Sequence, residues 1–240
     1  MAGHSKWANI RFRKERADAK KGKIISRCAK EIISAVKTGG PDPKANPRLR
    51  QAIDKARSEN VPNDVIERNI KKASSPDQKA YVECSYELYG YGGVGIIVEG
   101  MTDNKNRLAS EMRIATNKRG GNIADPGAVA FNFDRKGVVQ LPKEGVEEEA
   151  LFLAATEAGA EDFDATDDAF IVTTDPGLLM QVKEALEAAG FTCSGATFEM
   201  VPKLQVECDE ETARANFALI EWIEGIDDVD SVFHNMSLPE

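Results

Sequence analysis

The chain has 240 residues, with 31 Lys+Arg, 40 Asp+Glu and a formal net charge of −9. Its 42% apolar content can fill two or three cores, and no run approaches the ~18 apolar residues of a membrane span. The N-terminus has no apolar signal segment, and Cys28, Cys84, Cys193 and Cys208 stand too far apart for a disulfide framework or paired metal spacing, so a cytoplasmic protein with reduced thiols is expected.

Charge is divided between the two ends. Residues 1–75 hold 19 basic and 8 acidic side chains, while the other 165 hold 12 basic and 32 acidic. A basic end on an acidic body presents one surface to a polyanion, because field and counterion release scale with local charge.

Residues 1–23 are polar, with no apolar face, and read as a mobile or loosely helical arm that orders on a partner. From Ile25 the pattern is helical, with Ile25, Cys28, Ile32 and Val36 on one side until Gly39-Gly40. Asn46 caps a second helix with Pro47 in its first turn, and a third runs from about Pro62 to Ala73. Beyond Ser74-Ser75-Pro76, β-rich stretches at 81–89 and 94–101 flank Gly90-Tyr91-Gly92-Gly93, as in a hairpin. Thr102-Asp103 caps a helix reaching Arg119, and a strand Val129–Phe133 follows.

Next come a strand at 138–141, a helix at 146–158, strands at 161–164 and 169–174, a helix at 176–189 and a strand at 195–201. That order, β-α-β-β-α-β, is the split βαβ pattern of a ferredoxin-like sandwich. A strand at 203–208, a helix at 209–224 and a strand at 228–234 would complete the unit begun at residue 81. The expected fold is therefore α+β and multidomain: an all-α unit (1–77), a discontinuous α+β unit (78–135 plus 202–240) and an inserted α+β unit (136–201), both α+β units being ferredoxin-like.

Several blocks resemble the YebC/PmpR family: Met1-Ala2-Gly3-His4-Ser5-Lys6-Trp7-Ala8-Asn9-Ile10, Gly40-Pro41-Asp42-Pro43 with Asn46-Pro47-Arg48-Leu49-Arg50, and Gly92-Gly93-Val94 with Thr102-Asp103-Asn104-Lys105-Asn106-Arg107. Asp227-Asp228-Val229, Val232 and Asn235 also fit, so the resemblance spans the chain. It departs at Tyr91, where the family often has proline, and at Ala128, where it often has serine. The resemblance implies three domains in a non-enzymatic cytoplasmic protein. Bacterial members are described as DNA-binding transcriptional regulators, a mitochondrial relative as a translational activator, and other relatives are linked to ribosomes.

The candidate nucleic-acid-binding residues are Lys6, Trp7, Arg11, Arg13, Lys14, Arg16, Lys20, Lys21 and Lys23 in the arm, with Arg48, Arg50, Arg68, Lys71 and Lys72 on the helices. Trp7 among cations can stack on a base. The third helix offers Glu67, Arg68, Lys71 and Lys72, which suit phosphates better than base edges, and irregular basic segments suit structured RNA at least as well as DNA. A second candidate is Asp103, Asn104, Lys105, Asn106 and Arg107 at a helix start, where a phosphate or a partner's main chain could bind; a plain Asp103 cap is the simpler reading. Gly120-Gly121 and Asp125-Pro126-Gly127 are either a partner-facing loop or a helix stop and a turn. His4 and His234 are the only histidines, and no nucleophile elbow or phosphate-binding P-loop occurs. No catalytic residue, metal or cofactor is expected. The expected partners are nucleic acid (DNA, or ribosomal RNA on the ribosome), with no membrane or small-molecule substrate, for a regulator of transcription whose oligomeric state the sequence leaves open, a monomer being favoured. The alternatives are a ribosome-associated translation factor and a protein-interaction adaptor.

Overall fold

The computed structural model describes residues 17–166 and 169–237 of the chain, without the side chains of residues 17–21. Seven α-helices and three sheets are present among these residues. The chain is already helical at Ala17, so α1 (Ala17–Gly39) takes in the end of the expected arm. Its Ala- and Lys-rich start has good helix propensity and needs no apolar face to continue the turns.

In the helical unit, Cys28, Ile32 and Val36 of α1 pack on Leu49, Ile53 and Ala56 of α2 (Pro47–Ser58) and on Ile66 and Ala73 of α3 (Asn63–Ala73). Buried Asn46 joins two helix ends. Its Oδ1 accepts from Leu49 N at 3.1 Å as the N-cap of α2, and its Nδ2 donates to Ala35 O and Gly40 O, both at 2.8 Å, satisfying carbonyls left over by α1.

The hairpin of β1 (Val82–Tyr89) and β2 (Gly95–Thr102) leads into α4 (Lys105–Arg119) and the short β3 (Asn122–Ile123). The sheet order is β3-β1-β2-β9, where β9 is Val229–His234. The chain thus leaves this sheet after β3 and returns with its last long strand. Between them, β4 (Phe133–Pro142), α5 (Glu148–Ala158), β5 (Asp162–Ala165), β6 (Ala169–Thr174), α6 (Leu179–Ala188) and β7 (Gly195–Pro202) form a second antiparallel sheet, ordered β5-β6-β4-β7. This is the split βαβ order; the first sheet instead begins with a hairpin.

Two segments differ from their expected form. Of the expected strand Val129–Phe133, residues 130–132 form a 3₁₀ turn and only Phe133 joins β4, because Gly127, Val129 and Ala130 give their amides to a side chain instead of a ladder. The expected strand at 203–208 shortens to β8 (Val206–Glu207), paired in parallel with β10 (Met236–Ser237) outside the main sheets.

One face of the first sheet is covered by α4 and α7 (Glu210–Glu224) through Leu108, Met112, Ala115, Leu219, Ile220 and Ile223. Its other face contributes Ile97 and Phe233 to a cluster with Phe133 of β4 and Met200 of β7, which seals the seam between the sheets. Gly100 lies at a bulge where β9 passes so close that a Cβ would stand 2.1 Å from Asp228 O; only glycine fits there.

The helical unit is held against the first sheet by charge. Lys30 Nζ donates to Asp227 O at 2.7 Å and stands 3.5 Å from Asp230 Oδ1, with the two side chains only 8% and 7% exposed. Two helical turns earlier, Lys23 Nζ donates to Glu224 O and, at 3.2 Å, to Val229 O. Both lysines of α1 therefore meet carbonyls at and just beyond the C-terminal end of α7, where the helix dipole favours cations. Burial pushes the Asp230 carboxyl above its ordinary value, with Lys30 pulling the other way, and burial lowers the Lys23 ammonium.

Lys30→Met leaves Asp230 buried without its cation and should cost about 3–5 kcal/mol, read as a lower urea midpoint. Adding Asp230→Leu should recover most of that loss. Because the folded-state pKa of Asp230 is raised, its contribution is most favourable below the ordinary carboxylate range and declines as pH rises through the raised value. Asp230→Asn should remove that component from the pH dependence of unfolding.

Candidate nucleic-acid interface

The first turn of α2 lacks acidic residues and instead carries Arg48 and Arg50, both exposed because Leu49 and Ala52 take the inward positions. Helix N-termini favour anions, so each of these cations stands against the dipole, an arrangement worth about 0.3–1 kcal/mol in the unfavourable direction. Helix stability does not account for them. Exposed Lys44 lies just upstream; because Pro47 has no N–H and Asn46 takes the amides of Leu49 and Arg50, the side-chain cations, not a row of helix amides, make the setting that attracts phosphate.

Lys71 and Lys72 are exposed in the last turn of α3, where the dipole favours cations, so part of their placement is structural. Arg68 pairs with Asp64 at 2.8 Å on the open surface. Lys55 and Arg27 both reach Glu31, and Lys37 donates to Ser75 O at 2.7 Å. The free positive surface of the folded helices is therefore concentrated on Arg48, Arg50, Lys71 and Lys72.

Lys6, Trp7, Arg11, Arg13, Lys14 and Arg16 lie outside the described residues. Lys20 and Lys21 fall within α1. Lys23 is a correction: its ammonium binds Glu224 O and Val229 O, so it belongs to the seam and not to a free phosphate surface.

The second candidate divides in the same way. Asn104, not Asp103, is the N-cap of α4, accepting from Arg107 N at 3.1 Å. Asp103 instead pairs with Arg107 at 2.8 Å, and Arg107 also grips buried Asp228 at 2.7 Å. Asp228 in turn accepts from the Thr102 hydroxyl at 2.8 Å. Hydrogen bonding to Asp228, then to Asp103, pushes the Arg107 pKa up. Lys105 and Asn106 remain exposed at the start of the helix.

The glycine-rich loops are built as supports. Asn216 Oδ1 accepts from Tyr91 N at 2.8 Å and its Nδ2 donates to Tyr91 O, while Asn235 Oδ1 accepts from Gly95 N at 2.7 Å. Glu87 accepts from the backbone N–H groups of Gly127, Val129 and Ala130 at 2.6–2.7 Å. Loop 124–130 thus spends three amides on one carboxylate instead of offering them to a partner.

His234 is buried, its Nδ1 accepting from Met236 N at 3.3 Å and its ring edge-on to Phe217. The thiols are free and all four are shifted upward, first by burial; Cys28 is pushed up to about 11. Among the described residues, no group of three or more His, Cys, Asp or Glu side chains could hold a metal, and no helix is long and apolar enough to cross a membrane.

These features define an α+β protein in which a basic helical unit is joined by charge to the first of two sheet-containing units. Residues 5–76 match the family model described as the TACO1/YebC protein N-terminal domain, and residues 81–236 match that of the TACO1/YebC second and third domain. The chain belongs to the TACO1/YebC family. A protein of Protochlamydia amoebophila (strain UWE25) named "Probable transcriptional regulatory protein" is 65% identical over 240 residues, covering 100% of this chain and 98% of that one. One of the same name from Chlamydia trachomatis serovar L2 is 60% identical over 238 residues, covering 99% of this chain and 100% of that one. The crystal structure of a conserved hypothetical protein from Aquifex aeolicus has a TM-score of 0.79 at 41% identity, covering 93% of each chain.

Burial pushes the Glu87 carboxyl up, but its three backbone hydrogen bonds outweigh burial and hold it below the ordinary range. Its stabilisation is then present above the ordinary carboxylate pKa and lost as pH falls through the lowered value. Glu87→Gln should cost about 1.5–3 kcal/mol and speed amide exchange at Gly127, Val129 and Ala130 by NMR.

Proposed function

We propose that this protein is a non-enzymatic regulator of gene expression that binds nucleic acid through its helical unit and acts on transcription by binding DNA. The observation that carries this reading is the pair Arg48 and Arg50, exposed in the first turn of α2 against the helix dipole and flanked by Lys44. Exposed Lys71 and Lys72 add to the same unit. The names of the close relatives support the transcriptional assignment. Structural use of His234 and the raised thiol pKa values fit a protein without catalysis or a cofactor.

A second reading, a ribosome-associated factor contacting ribosomal RNA, draws on the exposed face of α3. Glu67, Arg68, Lys71 and Lys72 offer phosphate contacts and a repelling carboxylate, with few groups suited to base edges. In either case we read residues 136–201 as a unit inserted between the two parts of the second, holding the acidic body at a set angle to the nucleic acid.

Reversing Arg48, Arg50, Lys71 and Lys72 to Glu should weaken binding to duplex DNA at least tenfold. It should also reduce the log–log salt slope by roughly 0.9 for each phosphate no longer neutralised. Salt-titrated fluorescence anisotropy, with circular dichroism to verify folding, is the measurement. Wild-type affinity in this folded variant would rule the reading out. Recovery with ribosomes but not promoters in crosslinked cells would favour the second reading.

A further inference from the structure

Although the body of the protein is acidic, α4 is basic. It carries Lys105, Arg107, Arg113, Lys118 and Arg119 against the single acid Glu111, and no acid lies in its first turn. Arg107 is held by Asp103 and Asp228, and Arg119 lies over the Trp222 ring at 5.2 Å. Lys105, Arg113 and Lys118 form no ion pair among the described residues, and all three are exposed.

The helix also carries an ordered polar line. Leu108, Met112 and Ala115 face the core, so positions three to four residues apart on the opposite side point to water. Asn106, Ser110, Arg113 and Asn117 occupy that side, are all exposed, and make no side-chain hydrogen bond among the described residues. Spaced i, i+4, i+7, i+11, they extend about 16 Å, the rise of eleven helical residues. Asn, Ser and Arg are the residue types that pair with base edges and phosphates. At the far end of the helix the exposed Tyr91 side chain brings its hydroxyl against Gly120, leaving an aromatic beside the last turn that carries Lys118.

The neighbouring helix limits what can lie there. Packed beside α4 on the same sheet face, α7 carries exposed Glu210, Glu211 and Glu221 against Arg214, while Glu224 lies by Lys23 at the seam. A duplex broad enough to cover both helices would bring one phosphate backbone onto these glutamates, whereas a single strand along α4 meets only the basic helix. Neutral Asn and Ser groups can both donate to and accept from a 2′-hydroxyl. The deep major groove of A-form RNA is closed to side chains, but the bases of an unpaired strand are open to helix-borne readers.

We propose that the outer face of α4, with Tyr91 at its end, is a second nucleic-acid contact that takes single-stranded RNA. Asn106, Ser110, Arg113 and Asn117 contact bases and sugars, Lys105 and Lys118 contact phosphates, and Tyr91 stacks on a base. The line has room for about five nucleotides at a stacked spacing of ~3.4 Å. The proposal goes beyond the helical-unit reading and rests on it only for the class of partner.

The test uses the full-length chain with Arg113→Glu and Lys118→Glu together, and separately Asn117→Ala with Tyr91→Ala. Unfolding midpoints confirm that each variant is folded. Affinity for a labelled unstructured 20-nucleotide RNA, the DNA strand of the same sequence and a DNA duplex is measured against salt. The charge-reversed variant should bind the RNA at least tenfold more weakly, with a slope smaller by roughly 0.7 for each phosphate left without its cation, and bind the duplex as wild type does. The neutral variant should weaken RNA binding with little change of slope. A photo-crosslinking residue at Ser110 should label the RNA.

Wild-type RNA affinity in both variants, with the helical-unit variant defective, would overturn this inference and leave the proposed function standing. Weakened binding in the helical-unit variant is thus the control that separates the two. Equal losses on RNA and duplex, or on RNA and the DNA strand, would overturn the commitment to single-stranded RNA. Crosslinks from position 110 to a nuclease-resistant protein would assign the face to a protein partner instead.

Discussion

The arrangement of this protein depends on two lysines of one helix, Lys30 buried and Lys23 half-buried, set against the end of another. Lys23 and Lys30 of α1 reach the carbonyls of Glu224, Asp227 and Val229 and Lys30 also the carboxylate of Asp230, so the basic helical unit is joined to the acidic body by cations on carbonyls and one ion pair at low solvent exposure. Such a contact is sensitive to geometry, since a buried charge that loses its partner is costly. Next to it, Asp228 gathers Thr102 and Arg107 at the start of α4. One short segment, residues 224–230, therefore sets the position of the helical unit and anchors the first turn of the body's basic helix.

Charge placement relative to helix dipoles separates structural from available cations. Helices α5 and α7 begin with glutamates, as their dipoles favour. Helices α2 and α4 instead begin with basic residues and no acid. In α4, Arg107 answers to Asp228, which accounts for one of those cations; Arg48, Arg50 and Lys105 have no such counterpart among the described residues. A cation that opposes the local dipole and lacks an internal partner is better explained by an external anion than by folding.

Much of the architecture was legible in the chain because it rests on local rules. Asn46 followed by Pro47 marked the start of α2, Gly39-Gly40 the end of α1, and stretches rich in tyrosine, valine and isoleucine the hairpin around Gly90–Gly93. The β-α-β-β-α-β order of the second sheet followed from periodicity and turns. Local rules also explain the departures. Thr102-Asp103-Asn104 holds three candidate caps; the Thr102 hydroxyl is spent on Asp228 and Asp103 on the Arg107 guanidinium, and Asn104 takes the Arg107 amide as the cap. Val129 is β-branched and reads as strand, yet Glu87, some forty residues earlier, captures its amide.

The sequence by itself determined the charge division, the helical character of the first unit and most strand and helix positions, because these depend on composition and on neighbours within a few residues. Tertiary structure decided which charges remain available. Lys23 and Arg48 look alike in the chain, but one is held against Glu224 and Val229 while the other faces water. The acidic average of the body likewise concealed α4, whose cations and polar line stand out only once folding places Leu108, Met112 and Ala115 inward. Pairing and burial act between residues distant in sequence, and they determine whether a charge serves the fold or a partner.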